Sequence, residues 1–191
     1  MPPQAHPPIV GHRLESVNRY GSRMPTQRRQ ATEAEIATLA SAVRLRIIRL
    51  TLQEPLTNAQ IAHRLHRDPA TTLHHVRRLV RHGFLEPLPA RPGPRGSTEI
   101  PYRGTRLSWS LRGGERDPSL GEATLEAYLD EVTEVGVAAL DQSRLAVRLA
   151  PADAAALRSE LSALLDRYAA RAEPPDGEAV AVYLSIYPGA S

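Results

Sequence analysis

Two short helical patterns separated by a tight break, within residues 57–85, constrain the fold of this chain more than any other segment. Thr57 and Gln60 have the T-x-x-Q spacing of a capping box, in which the two side chains bond free backbone N–H groups at a helix start. Ile61 and Leu65 then follow at helical spacing. We therefore predict a short first helix that buries one face.

A second helix is predicted to begin at Pro69, with Asp68 as its N-cap, and to end before Gly83. The positions at helical spacing that define an inward face are Thr72, Val76, Leu79 and Val80. The positions predicted to lie mostly outside are Thr71, His74, His75, Arg77, Arg78 and Arg81. A short helix followed by a basic one is typical of units that place side chains in a major groove of DNA.

The charge of the chain is distributed unevenly along its 191 residues. Residues 1–112 contain 18 arginines and 7 acidic residues, whereas residues 113–191 contain 6 arginines and 14 acidic residues. All 24 basic residues are arginine, a usage that a GC-rich genome also produces. The basic half suits a polyanion, and the acidic half should avoid one.

Several classes of protein are excluded or disfavoured by composition. The chain has no cysteine, which excludes disulfides, thiolate zinc sites and thiol redox sensing. It has no apolar run of about 18 residues and no apolar signal segment near its start, so no membrane association is expected. These features predict a cytoplasmic protein. No catalytic motif stands out, so we also predict that the protein is not an enzyme.

The first 112 residues divide into a tail and a compact unit. Residues 1–31 are rich in Pro and Arg and are interpreted as a disordered tail, with a basic arm that reaches DNA as the alternative. A helical pattern runs from the capping box Thr32-x-x-Glu35 to Glu54-Pro55.

Extended segments are expected after Gly83, from Phe84 to Leu88 and from Ile100 to Leu111. The Pro- and Gly-rich loop between them contains Arg91 and Arg95. We predict a β-hairpin, or wing, with these arginines at its tip.

The acidic half contains three further patterns. An apolar stripe with a nearly seven-residue repeat predicts a helix over 119–142 that needs a partner helix. Residues 144–149 alternate like a half-buried strand, Pro151 begins another helix, and 179–187 form a last strand. One β-α-β unit with two strands is too small to stand alone, so it must dock on the front domain or pair with its copy.

The order of these elements resembles that of the ArsR-like winged-helix transcriptional regulators of bacteria, over roughly residues 33–142. The resemblance is carried by LASAVRLRIIRLTLQEPLTNAQIAHRL, by DPATTLHHVRRLVRHGFLEP and by the wing ending in PYRGTRLSW. It implies an α+β fold: a winged helix-turn-helix domain (32–112), a dimerisation helix (113–143) and, as in actinobacterial members, an added C-terminal β-α-β unit (144–191).

Two positions depart from the family's pattern. Ala42 stands where the family often has Pro, and Leu73 stands where the recognition helix often has Ser. The metal-sensing branches use Cys, or His and Asp on the dimerisation helix, and this chain has neither Cys nor a His within 119–142. We therefore predict no metal site and no cofactor.

The resemblance and the patterns together give two sets of site residues. The predicted DNA-binding residues are Thr71, Thr72, His74, His75, Arg77, Arg78, Arg81, Arg91 and Arg95. The predicted dimerisation residues are Leu125, Tyr128, Leu129, Val132, Val135 and Ala139. Arg78 is expected to bond guanine through two donors, and Arg77 and Arg81 are expected to meet phosphates.

Some alternatives remain open at this level. Five of the seven histidines lie between His63 and His82, which would also suit a pH switch or a zinc site that uses His63, His66 or the pair at 74–75. Four aromatic residues would line an effector pocket or belong to the core: Trp109, Tyr168, Tyr183 and Tyr187.

The sequence thus favours a homodimeric, sequence-specific DNA-binding transcriptional regulator, a repressor that reads an inverted repeat through the helix starting at Pro69. Its expected partners are double-stranded DNA, a second copy of itself and, as an open alternative, a small-molecule effector of unidentified chemistry. Two rival hypotheses are a winged-helix protein-interaction module without DNA binding and an enzyme-like tail governed by the front domain.

Overall fold

The computed structural model of the chain describes residues 28–114, 116–172, 174 and 176–189. Its helices are α1 (Glu33–Leu39), α2 (Ala42–Gln53), α3 (Asn58–Arg64), α4 (Pro69–Arg81), α5 (Pro118–Val135) and α6 (Pro151–Ala169). Its strands are β1 (Arg29–Gln30), β2 (Leu56–Thr57), β3 (Leu85–Pro87), β4 (Arg91–Pro92), β5 (Thr98–Glu99), β6 (Pro101–Gly104) and β7 (Leu111–Arg112).

The core lies where α2, α3 and α4 meet the sheet. Ile47, Ile61, Val76, Leu79 and Phe84 are almost completely buried there and belong to one apolar cluster. They come from the inward faces that helical spacing predicts, and their burial supplies most of the stabilisation of this unit.

The predicted tail, residues 1–31, lies mostly outside the described residues. Its last residues are ordered, contrary to the prediction, because β1 pairs with β7 in parallel and Ala31 N–H donates to the Arg112 carbonyl at 2.8 Å. Arg29 also forms an ion pair with Glu35 at the start of α1. The basic-arm alternative for residues 1–27 stays a prediction.

The helical pattern between Thr32 and Glu54 is divided into two helices, which corrects the expectation of a continuous one. The Thr32–Glu35 capping box is present, but α1 ends at Leu39 and Ser41 is the N-cap of α2. The break has a physical cause: the buried Arg44 guanidinium donates to the Thr38, Ala37 and Ala40 carbonyls at the end of α1. These are carbonyl groups that a helix end leaves without partners.

The two helices predicted first are confirmed with their caps. Thr57 and Gln60 form the capping box of α3, and the Asp68 carboxylate accepts the Thr71 N–H at 2.9 Å as the N-cap of α4. Gly83 follows α4 with φ of +75°, a conformation that favours glycine.

The wing is also confirmed, in a shorter form. β6 is the centre of a three-stranded antiparallel sheet in the order β2-β6-β3, and β4 pairs with β5 near the tip. The predicted run from Ile100 to Leu111 is not one strand: Arg106 adopts φ of +63°, and a 3₁₀ turn covers Leu107–Ser110. A left-handed residue reverses the chain direction and ends the ladder.

The predicted helix 119–142 is shorter than expected. α5 ends at Val135, since Gly136 has φ of +81° and a 3₁₀ turn follows over Val137–Ala139. Ala123 and Ala127 are the buried residues of α5, and the small side chains allow it to approach α1 and α2 closely.

The β-α-β prediction for residues 144–191 is half correct. α6 begins at Pro151 as expected, but neither 144–149 nor 179–187 forms a strand. The physical reason is the one that sequence analysis raised: two short strands around one helix bury too little apolar surface to hold a ladder in a single chain.

Candidate nucleic-acid interface

The turn between α3 and α4 fixes the angle at which α4 leaves the core. His66 adopts a left-handed conformation there, with φ of +50°, and Arg67 N–H donates to the Ala62 carbonyl at 2.9 Å. The Asn58 side-chain amide donates to the Pro69 carbonyl at 2.8 Å and so links the start of α3 to the start of α4. The two helices therefore form one rigid unit.

One face of α4 is exposed and basic. Thr71, His74, Arg77 and Arg81 are all exposed, and no residue of α4 is acidic. The opposite face packs into the core through Val76 and Leu79. A helix with this division holds its cations in solvent at a fixed distance from the core.

Thr72 is not part of that face. It is fully buried, and its hydroxyl donates to the Asp68 carbonyl at 2.9 Å. The prediction that Thr72 binds DNA is therefore wrong: the side chain belongs to the inward face and satisfies its hydroxyl within the first turn of α4.

Arg78 has a structural role that its position on α4 did not reveal. Its guanidinium reaches back to α1, where Nη2 donates to the Ala37 carbonyl at 3.3 Å and Nε lies 3.5 Å from the Thr38 hydroxyl. Two of its donor nitrogens are thus turned towards α1, which conflicts with the predicted two-donor bond to guanine. The Ala37 carbonyl accepts from both Arg78 and Arg44.

His75 lies at the edge of the same cluster and is partly buried. Its Nδ1 is buried and has no hydrogen-bond partner among the described residues. Burial lowers the pKa of the imidazole, and the positive charges of Arg44, His74, Arg67 and Arg78 lower this pKa further. His75 is therefore held neutral at a lower pH than an ordinary histidine, and it does not point freely into solvent as predicted.

The wing presents an arginine at its tip beside a nearby acid. Arg91 is exposed on β4, and its Nε lies 3.8 Å from a Glu99 carboxylate oxygen on β5. Arg95 lies in the 3₁₀ turn Pro94–Gly96 that closes the tip. Further down the hairpin, Arg103 pairs with Glu86 across β6 and β3 at 2.7 Å.

The predicted dimerisation residues divide between exposed and half-buried positions. Leu125, Leu129 and Val135 are 46%, 53% and 59% exposed, which leaves an apolar stripe of α5 uncovered in the single chain. Ala139 is exposed beyond the helix end. Val132 is half-buried, and Tyr128 stacks on Tyr183 with ring centres 4.3 Å apart.

The acidic residues of α5 lie outside its apolar stripe and make contacts that the sequence did not predict. Instead they bind α2: Arg46 pairs with Asp130 and Glu134, and Arg49 pairs with Glu131. These ion pairs, with Ala123 and Ala127, define the face by which α5 is attached to α1 and α2. The i, i+3 spacing of Arg46 and Arg49 was the signal in the sequence that could have indicated this contact.

The four aromatic residues assigned to a pocket or a core are too exposed to form a core. Trp109 lies under the Arg28 guanidinium, whose carbon is 4.3 Å from the centre of the Trp109 ring, and Tyr168 lies beside Arg171. Tyr183 is stacked on Tyr128 of α5, and Tyr187 is 67% exposed. An effector pocket among these residues stays a prediction.

The open histidine alternatives receive no support from position. His63 and His66 are exposed, and within the part of the chain that the structure describes no three His, Asp or Glu side chains gather as a metal ion would need. In the same residues, no helix is both long and apolar enough to cross a lipid bilayer.

Comparison with protein families identifies this unit. Residues 39–87, from the end of α1 through α2, α3 and α4 to β3, match the family model described as "Helix-turn-helix domain". The chain carries a helix-turn-helix domain. The match covers the residues that position α4, and the antiparallel hairpin that follows makes the domain a winged one.

Solved structures provide a second comparison. The chain is similar to the zinc-responsive MarR family member ZitR of Lactococcus lactis, with 16% identity over 66% of this chain and 74% of that one, at a TM-score of 0.31. ZitR in complex with DNA gives 17% identity, the same coverage and a TM-score of 0.30. The Zn(II)-bound regulator AdcR gives 22% identity over 66% and 74%, at 0.28.

No curated protein matches the chain. TM-scores near 0.3 mean that the superposition is only partial, so the functional assignment depends on this chain's own residues. Those residues are the exposed basic face of α4 and the wing beside it.

Proposed function

We propose that the protein is a homodimeric, DNA-binding transcriptional regulator that acts in the cytoplasm as a repressor and reads an inverted repeat with α4. One observation carries the proposal: α4 of the helix-turn-helix domain exposes Thr71, His74, Arg77 and Arg81, and α4 itself contains no acidic residue, the N-cap Asp68 carboxylate being bonded to Thr71 at the start of the helix. Such a face loses little when it is buried against phosphates, because its charges gain partners there.

The residues of that face have different roles in the proposal. Thr71 and His74 lie in the first half of α4, the part of a recognition helix that contacts base edges in the major groove. Arg77 and Arg81 lie further along and meet phosphates, which position the protein without reading sequence. Arg78 acts indirectly, by tying α4 to α1.

The wing adds contacts beside those of α4. Arg91 and Arg95 would lie near the backbone or the minor groove, and approach to DNA would give Arg91 a phosphate partner in place of the distant Glu99 carboxylate. The second copy would be joined through the uncovered stripe of α5, so that the two α4 helices enter successive major grooves about one helical turn apart.

The test is a binding titration by fluorescence anisotropy on the DNA fragment upstream of the protein's own gene. It is done at two or more salt concentrations, with random DNA as competitor. The expected result is selective binding that weakens with salt. Arg77→Ala should lower the slope of log K against log salt by about 1, because one phosphate contact is lost.

Two variants serve as comparisons in the same titration. Arg158→Ala removes a positive charge from the exposed surface of α6, outside the helix-turn-helix domain and the wing, and should bind like the parent protein. Arg78→Ala should weaken binding without changing the salt slope, because it disturbs the position of α4 rather than a phosphate contact.

A result without DNA binding would favour the protein-interaction module instead. If neither the upstream fragment nor random DNA binds at any salt concentration while the protein is folded and dimeric, the exposed face of α4 has another partner. Binding to DNA that responds equally to Arg77→Ala and Arg158→Ala would contradict the assignment of the face.

A further inference from the structure

We propose that residues 144–149 and 179–187 of two copies form a single four-stranded sheet, in which 179–187 pairs with its own counterpart at the two-fold axis. This inference rests on the homodimer of the proposed function and specifies where the second copy is held.

Both segments carry apolar side chains that nothing covers. Leu145, Val147 and Leu149 are 76%, 56% and 44% exposed, and Val180 and Val182 are 77% and 68% exposed. Leu184 and Ile186 continue the second series. In 144–149 the large apolar residues alternate with Arg and Ala, which is the pattern of a strand with one buried face, and in 179–187 the large aliphatic residues occupy every second position from Val180 to Ile186.

A single copy cannot bury these faces. It supplies two short strands and α6, and a two-stranded sheet is at best marginally stable in water, whereas three or more strands with an apolar face are stable. Two copies supply four strands and two helices. Pairing at the centre would satisfy the backbone groups that each two-stranded sheet leaves open along the edge formed by 179–187.

The charges decide which segment lies at the centre. Residues 179–187 contain no charged side chain, so two copies can pair antiparallel without repulsion. Residues 144–149 contain Arg144 and Arg148 on one face, and self-pairing would bring arginines opposite one another, which is destabilising. Charged residues are instead typical of edge strands, where they prevent further association.

The amount of uncovered surface fits a dimer. Fifteen large apolar residues from Leu125 onward are exposed, at between 38% and 77%. Together they leave enough apolar area per copy to supply the roughly 800 Å² that each partner buries in a standard stable interface. Monomeric soluble proteins rarely leave so much apolar surface exposed.

The stacking of Tyr183 on Tyr128 attaches the central segment to α5. Tyr128 belongs to the stripe that contains Leu125 and Leu129, so the sheet and the α5 stripe would form one continuous interface. Val182 and Leu184 lie on the opposite face of the strand from Tyr183. That face would pack against α6 in the shared core.

The first experiment is amide hydrogen exchange on the full chain at a series of protein concentrations. We expect protection in 144–149 and 179–187 that is lost on dilution, in step with dissociation measured by sedimentation, while protection in α2, α3 and α4 is retained. Protection that does not change on dilution would mean pairing within one chain, and a dimer without protection in these segments would be held elsewhere. Either result overturns the proposal.

The second experiment compares two variants of equal charge. Val182→Asp places a carboxylate on the face to be buried and should weaken the dimer about tenfold or more. Gly189→Asp adds the same charge just beyond the segment, where an added side chain meets no atom within 4 Å, and should leave the dimer unchanged.

DNA binding separates this inference from the function on which it rests. A Val182→Asp monomer that still binds DNA in a salt-dependent manner, at higher protein concentration, supports both. A Val182→Asp protein that remains dimeric contradicts the shared sheet alone. A parent protein that is dimeric through this sheet but binds no DNA contradicts the proposed function alone.

Discussion

Neighbouring arginines of α4 have opposite roles. Arg77 is exposed on the outer face, whereas Arg78 donates to the end of α1 together with the buried Arg44. Arginine suits the second role because its planar guanidinium offers several donors in fixed directions. The same residue type is thus exposed for the proposed DNA contact at one position and bound to the end of α1 at the next.

Glu35 makes stability depend on pH in the acid range. The Arg29 guanidinium and the Thr32 N–H and hydroxyl lower the pKa of this carboxyl from 4.5 to about 2. Because the folded pKa is lower than the unfolded one, the stabilisation is present above pH 4.5 and is lost as pH falls towards 2. We expect a loss of about 1–2 kcal/mol over that range, since Arg29 is half exposed and partly screened.

Urea unfolding at several pH values checks the role of Glu35. Glu35→Gln should flatten the acid dependence of the unfolding free energy. Glu33→Gln, in the same turn but exposed, should leave that dependence as it is. Equal effects of the two variants would assign the dependence to other carboxyls.

His66 stores strain in the turn that orients α4. A residue with a Cβ pays for φ of +50°, and glycine does not, so His66→Gly should raise the free energy of unfolding by about 0.5–1 kcal/mol. His63→Gly is the matched control, since His63 is exposed within α3 and glycine there should destabilise by about 1 kcal/mol. Opposite shifts in the thermal midpoint are expected, and shifts of the same sign would contradict the strain.

Sequence alone could not separate Arg77 from Arg78. Helical spacing places both outside the stripe of Val76 and Leu79, and only the path of α1 decides which is tethered. Caps are different: the boxes at Thr32 and Thr57 depend on residues three apart and were predicted correctly. The helix caps could be predicted from neighbouring residues in the sequence. The contacts between distant segments, such as that of Arg78 with α1, could not.

At the scale of elements, the attachment of α5 to α2 depends on ion pairs. Arg46 is 11% exposed and contacts two carboxylates that are each about half exposed. Arg46→Met should cost about 1 kcal/mol and should increase hydrogen exchange within α5. The comparison is Arg64→Met, which removes the exposed pair with Glu54 and should leave exchange in α5 unchanged.

The lengths of the elements were predicted less well than their order. The helical spacing of apolar residues continues on both sides of Ala40 and Ser41, so it does not reveal the break between α1 and α2. The break depends instead on the side chain of Arg44, which binds the end of α1. The end of α5 at Gly136 lay within an apolar repeat that suggested a longer helix. In both cases one residue overrides the periodicity of its neighbours.

At the scale of the whole molecule, a dimer imposes a spacing on its DNA. Once footprinting locates the operator, inserting about half a helical turn between the half-sites should abolish tight binding, because one α4 then faces the wrong side of the duplex. A full-turn insertion should restore part of it. Affinity that ignores both insertions would show that each copy binds independently.

The C-terminal region, residues 144–191, shows the limit of what one chain's sequence can predict. The sequence predicts a strand at 144–149, from its alternation, and another at 179–187, and α6 lies where the pattern places it, but the single chain forms no ladder in these segments. The apolar pattern of a segment indicates which face must be buried, but it does not indicate whether the same chain or a second copy buries that face. Strand pairing is therefore the part of the fold that sequence reasoning left open.

The exposed cations of α4 include no amine. Because Arg77 and Arg81 carry guanidinium groups, lysine acylation has no target on this surface. Aldehyde fixation, which joins protein to DNA chiefly through amines, would capture the complex poorly for the same reason. Salt concentration is therefore the condition that most directly adjusts how strongly this helix attracts a polyanion.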